Sequence, residues 1–154
     1  MVSSSVEITH EHGYAVAVIL ALWFQQSIIF VIPVALVRKK FGIVPPTLYP
    51  RDAQVKSLSL SETQVDEYLR AQRVHQNNVE FLTVFFPIIM ISSIFFPMQS
   101  AYAGALVWSG RMVTAIGYWK SANKRVWGAW FHFAEYYLVY LAAKTAYQLI
   151  TLKH

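Results

Sequence analysis

From Tyr14 to Val37 the chain runs for 24 residues without a charged side chain. As a helix rising about 1.5 Å per residue, this run reaches roughly 36 Å, enough to cross a bilayer core with some tilt. A helix apolar on every side belongs either in the middle of a large core or in a membrane. A chain of 154 residues has little core of that kind to offer. Gln25, Gln26 and Ser27 interrupt the run and are expected to face other helices. Pro33 is expected to kink it, which a membrane helix tolerates.

Composition points the same way. Only 14% of the residues are charged and 56% are hydrophobic, whereas a soluble domain carries about 25% charged residues. With no cysteine, the chain has no disulfide, thiolate nucleophile or Cys-based metal site, and any sulfur chemistry must arrive on a ligand. The net charge of +5 is read as membrane topology rather than nucleic-acid binding. Eleven of the thirteen Lys and Arg lie in the segments 38–73 and 111–125. Four spans put both segments on one side, which is then cytosolic, with the termini facing away. Trp119, Trp127 and Trp130 flank the second basic segment as an interfacial belt would.

The remaining elements follow from local signals. Residues 1–13 contain no Lys or Arg, so they are not read as a cleaved signal. Arg38-Lys39-Lys40 ends the first span, and Pro45, Pro46 and Pro50 imply an extended connection. Ser59 to Glu62 and Ser61 to Gln64 both have capping-box form, so a second helix is expected over about Glu62–Phe96, ended by Pro97. The short uncharged turn after it implies an antiparallel hairpin. A third helix, about Ala101–Trp119, is rich in small residues that permit close packing. Lys120–Arg125 reads as a basic loop and Val126–Ile150 as the fourth helix. The expected fold is a single domain over 1–154: an all-α membrane protein, a four-transmembrane-helix bundle of up-down topology.

The chemistry concentrates at one end of this bundle. Arg73, Asn77 and Glu80 are spaced i, i+4, i+7 and share a helix face that leads into the uncharged stretch Phe81–Met98. Arg111, Thr114 and Tyr118 share a face of the third helix, and Arg125 follows seven residues after Tyr118. Were that helix continued, Arg125 would lie on nearly the same face as Arg111. Arg38 ends the first span and His75 lies beside the polar stripe. Several arginines with a Glu, an Asn and a Tyr suit an anionic, peptide-like ligand, because guanidinium clamps carboxylates and a carboxylate holds an ammonium group. The competing readings are a structural Arg–Glu pair and arginines that merely anchor helix ends. His132 and Glu135, spaced i, i+3, are read as a packed polar pair rather than metal ligands.

These residues resemble the MAPEG family, the membrane-associated proteins of eicosanoid and glutathione metabolism. RVHQNNVEF (73–81) is similar to its helix-2 signature R-A-H-x-N-x-x-E. RKKFGIVPPTLY (38–49) resembles the matching segment of the microsomal glutathione transferase 3 group. RMVTAIGYWKSANKR (111–125) resembles the helix-3 motif R-x-x-Y-x-x-G-Y with its later arginine. Together the three motifs cover nearly the whole chain. The resemblance implies a homotrimer with glutathione as co-substrate, bound between subunits near the cytosolic face, and no metal. It implies that Arg38, Arg73, His75, Asn77, Glu80, Arg111 and Tyr118 bind glutathione and that Arg125 stabilises its thiolate.

The expected activity is that of a glutathione transferase and peroxidase of the endoplasmic reticulum membrane. It would act on lipophilic electrophiles or lipid hydroperoxides that enter from the lipid. The alternatives are a non-catalytic lipid-binding scaffold resembling 5-lipoxygenase-activating protein, or conjugation like that of leukotriene C synthase. Thr114 stands where most relatives carry Tyr, and Phe81 where the leukotriene C synthase branch carries Tyr, which speaks against the last.

Overall fold

The computed structural model describes residues 7–151. Residues 1–6 of the polar amino-terminal stretch, and Lys153, lie outside that range. All regular structure among the described residues is helical. Helix α1 (His10–Phe24), a π-helical segment (Gln25–Ile29) and α2 (Val31–Phe41) form one rod. After it come α3 (Asp52–Ser57), α4 (Glu62–Ser93), α5 (Pro97–Lys120), a 3₁₀ segment (Ala122–Gly128) and α6 (Phe131–Thr151).

The rod is 32 residues long with a mean hydropathy of 2.2 over its most apolar window, and by length and composition it can cross a membrane. It is the one helix among the described residues that meets this by itself. Helices α5 and α6 are diluted by Gly, Ser, Tyr and Trp, which are weakly hydropathic. The bundle nevertheless turns large apolar side chains outward, among them Trp23, Leu36, Met90, Phe133 and Ile150.

Several expected boundaries shift, each for a local reason. The rod is interrupted at Gln25–Ile29 rather than at Pro33, with the Phe30 N–H donating to Gln25 O at 2.9 Å, five residues back. Pro33 falls in the first turn after this offset, where a missing N–H does little harm. Of the two capping boxes, the one at Ser61 forms: the Ser61 N–H donates to Gln64 Oε1 at 2.8 Å, and the Gln64 N–H to Ser61 Oγ. Helix α4 stops at Ser93, and Pro97 opens α5, since the first helical turn has no use for its N–H. The proline-rich connection contains the short helix α3, which no sequence signal announced. The expected basic loop is instead the 3₁₀ segment, so α6 begins at Phe131.

Side-chain bonds show how the helices lie. At one end His12 Nε2 donates to Ile94 O at 3.3 Å; at the other Lys40 pairs with Glu67 at 2.8 Å, so the rod runs antiparallel to α4. Ser100 Oγ donates to Ser92 Oγ at 2.8 Å across the α4–α5 turn. Helix α5 packs on α1, α4, α6 and the 3₁₀ segment. It can do so because its small residues are spent inside the chain: a β-carbon at Gly104 would lie 2.6 Å from Ile89 Cδ1. Leu22, Phe85, Ile89, Val107 and Leu138 form the fully buried centre.

Candidate functional site: an arginine-lined cleft

A cleft of about 710 Å³ is walled by α4, α5, the 3₁₀ segment and the start of α6. Helix α4 supplies Arg73, Asn77 and Glu80, and α5 supplies Arg111, Thr114 and Tyr118, so both shared faces read from spacing point into one space. Arg125 joins them from the 3₁₀ segment. It does not get there by helical continuation, because α5 ends at Lys120. The tight turn brings it back, and glycines make the turn possible: a β-carbon on Gly117 would collide with Lys124 O, and one on Gly128 with Gly110 O.

Arg111 is the buried cation of the site, only 7% exposed. Its Nε donates to Asn78 Oδ1 at 2.8 Å and its Nη2 to Asn77 Oδ1 at 3.0 Å. The guanidinium lies over the rings of Phe81 at 4.6 Å and Phe131 at 5.3 Å. Asn78 Nδ2 in turn donates to Gln26 Oε1 at 2.8 Å. A polar relay thus runs from the π-helical segment of the rod to the cleft. Neighbouring Gln25, wholly buried, donates to Trp108 O at 2.9 Å. Burying a guanidinium among aromatic rings is tolerable only with such fixed acceptors.

Glu80 and Arg73 do not pair with each other; the ion pairs among the described residues are Lys40–Glu67, Asp66–Arg70 and His132–Glu135. The structural Arg–Glu lock is therefore not what holds these helices. Glu80 accepts from Gln76 Nε2 at 3.2 Å, and Tyr49 donates to Gln76 Oε1 at 2.7 Å. Both Arg73 and Glu80 are exposed to the cleft.

Two of the expected ligand-binding residues lie elsewhere. Arg38 donates to Thr47 O at 2.6 Å and Ile43 O at 3.4 Å, and its guanidinium stands over the Tyr68 ring at 5.6 Å. Tyr68 is wholly buried. Its hydroxyl holds the same connection through Thr47 O at 3.0 Å and Leu48 O at 3.1 Å. His75 is half-buried and not on the cleft wall; its carbonyl faces Gln26 Nε2. Conversely, Tyr49, Gln76, His132 and Glu135 line the cleft without having been assigned to a ligand. Gln76 had a signal, being four residues before Glu80 on a helix. Tyr49 had none, because its partner is 27 residues away.

These features define a helical, membrane-type bundle with an apolar core and one buried polar relay that leads to an arginine-lined cleft. The chain belongs to the MAPEG family, whose sequence pattern it matches over residues 14–147. That family holds glutathione transferases as well as lipid-binding proteins. The chain is also similar to Uncharacterized protein sll1147 of Synechocystis sp., at 31% identity over 113 residues, 73% of this chain and 72% of the relative.

Proposed function

We propose that the protein is an integral-membrane glutathione transferase with peroxidase activity. In this reading it presents the glutathione thiolate to lipophilic electrophiles or lipid hydroperoxides. One observation carries it: a single cleft gathers Arg73, Arg111 and Arg125 with Asn77, Glu80 and Tyr118. Glutathione bears two carboxylates, one ammonium, two amides and a thiol. Arginines match the carboxylates, Glu80 the ammonium and Asn77 an amide. Arg125 then faces the thiol. A free thiol has a pKa of about 8.5, and a cation that never loses its proton favours the reactive thiolate.

The wider setting belongs to the same proposal. The chain crosses the membrane four times, up and down, with the cleft toward the cytosol, and the endoplasmic reticulum is its membrane. It acts as a homotrimer with ligand between subunits. Arg38 and His75, off this cleft, then serve the site shared with a neighbour. No metal is needed for this chemistry. One observation favours a second reading, a lipid-binding scaffold: Arg111 already gives two of its donors to Asn77 and Asn78.

Assaying the purified protein with glutathione and either a chloronitrobenzene or a fatty-acid hydroperoxide separates the two. The enzyme reading expects turnover. It also expects Arg125→Ala to keep glutathione affinity within a few-fold while turnover falls sharply and the pH–rate profile moves upward, with Arg125→Lys recovering part. Binding of lipid without any turnover supports the scaffold.

A further inference from the structure

A thiol becomes a thiolate when a base takes its proton; water can do so, and a positioned side-chain base does so faster. The arginines are already protonated and cannot accept. Tyr118 offers a phenol, whose O–H serves as a donor. Glu80 already accepts from Gln76 and is the group matched to the glutathione ammonium. His132 is the remaining group whose ordinary range lies near neutrality.

Its surroundings are those of an oriented base. His132 Nδ1 and Glu135 Oε2 are 2.7 Å apart, and both residues line the cleft. With the ring donating from Nδ1 to the carboxylate, Nε2 is left as an acceptor, and among the described residues it has no hydrogen-bond partner. The ring is further fixed against Phe131, with centroids 4.1 Å apart, and stacked on Tyr136 at 6.4 Å. The two members differ in exposure as their parts require: the His132 side chain is 50% exposed and that of Glu135 only 24%. A carboxylate behind, an imidazole in front and an open nitrogen is the arrangement by which a base is held in one tautomer.

We propose that His132 and Glu135 form a proton-accepting dyad on the cleft wall, His132 receiving the thiol proton and Glu135 positioning the ring. This rests on the glutathione reading above. In the step, the S–H bond breaks, its electron pair stays on sulfur, and the proton forms an N–H bond at His132 Nε2. Glu135 neutralises the imidazolium so formed. The anion left on sulfur faces Arg125. The other charged and titratable groups on the cleft are Tyr49 from the connection before α3, Arg73 and Glu80 from α4, and Arg111 and Tyr118 from α5, with Tyr136 beside the ring on α6.

The test measures glutathione binding by calorimetry first, then thiolate formation by ultraviolet absorbance and proton release after rapid mixing, across pH. Wild-type protein should bind and form thiolate with the proton first kept on the protein, so that absorbance rises before any proton reaches the solvent. His132→Ala should bind within a few-fold of wild type and form thiolate on the order of 10²-fold more slowly. Added imidazole should restore the rate in proportion to its concentration. Glu135→Gln keeps the shape and should slow the step less. An unchanged rate in His132→Ala, or a loss that imidazole does not restore, overturns the dyad and leaves a structural pair at the start of α6. Should His132→Ala not fold, His132→Asn carries the same measurement. A wild-type protein that takes up no glutathione overturns the parent reading, and the dyad with it, at the binding step.

Discussion

Asn78 shows how one buried side chain can hold a site together. It is wholly buried, gives its amide hydrogen to Gln26 and offers its oxygen to Arg111 Nε. Truncating it leaves a buried cation short of an acceptor and a glutamine short of a donor. Asn78→Ala should therefore destabilise the protein by about 3 kcal/mol, since hydrogen bonds to charged groups are worth about 1.5–3 kcal/mol and unpaired buried charges cost more. Thermal unfolding in detergent reads this directly. A midpoint within error of wild type would mean that the relay from the rod to Arg111 contributes nothing to stability. Asn77 is expected to behave differently, because it is exposed on the cleft and engages Arg111 through Nη2 alone.

The 3₁₀ segment is the element on which the proposed chemistry depends most. It is seven residues long and carries Arg125 near its middle. It lies against α5 with backbone almost on backbone, because Gly110, Gly117 and Gly128 leave no β-carbon between them. Thr114 takes part as well, since a β-carbon on Gly128 would also collide with its Oγ1. A residue as large as tyrosine at position 114 would have to turn away from this contact. Gly128→Ala should force the segment off α5, costing about 1–3 kcal/mol as overpacking does. It should also displace Arg125, so turnover falls more than glutathione affinity. Full activity with unchanged stability would show that the segment can shift without consequence.

At the scale of the whole molecule, the question is which way the bundle faces. The basic residues cluster in two segments, and Ser57 sits exposed at the end of α3 in one of them. Thr9 is exposed at the opposite end of the rod, as the N-cap of α1. Because the chain has no cysteine, single-cysteine variants report without background. In sealed microsomes, Ser57→Cys should react with an impermeant thiol reagent and Thr9→Cys should not. The opposite labelling would put the cleft on the luminal side. Equal labelling of both would mean that residues 10–56 do not cross the membrane an odd number of times.

Periodicity and composition carried much of this protein's design into view. The uncharged run at Tyr14–Val37 announced the rod, and two helical faces, Arg73-Asn77-Glu80 and Arg111-Thr114-Tyr118, announced the cleft walls. Both rest on repeats of three to four residues, which a local helix turns into geometry without help from the rest of the chain. What spacing does not encode is which faces meet. The relay Gln26–Asn78–Arg111 joins residues 52 and 33 positions apart, and the Tyr49–Gln76 bond spans 27. Arg38 had the composition of a cleft residue but is held by the connection it caps, through Thr47 and Ile43. His132 and Glu135 were visible as a local pair, yet only packing α6 against α5 turned that pair toward the cleft. The sequence by itself determined the helices and their polar faces, because those follow from bonds within a few residues. The tertiary structure alone decided which polar groups share one space, because that depends on how closely glycine-bearing surfaces let separate helices approach.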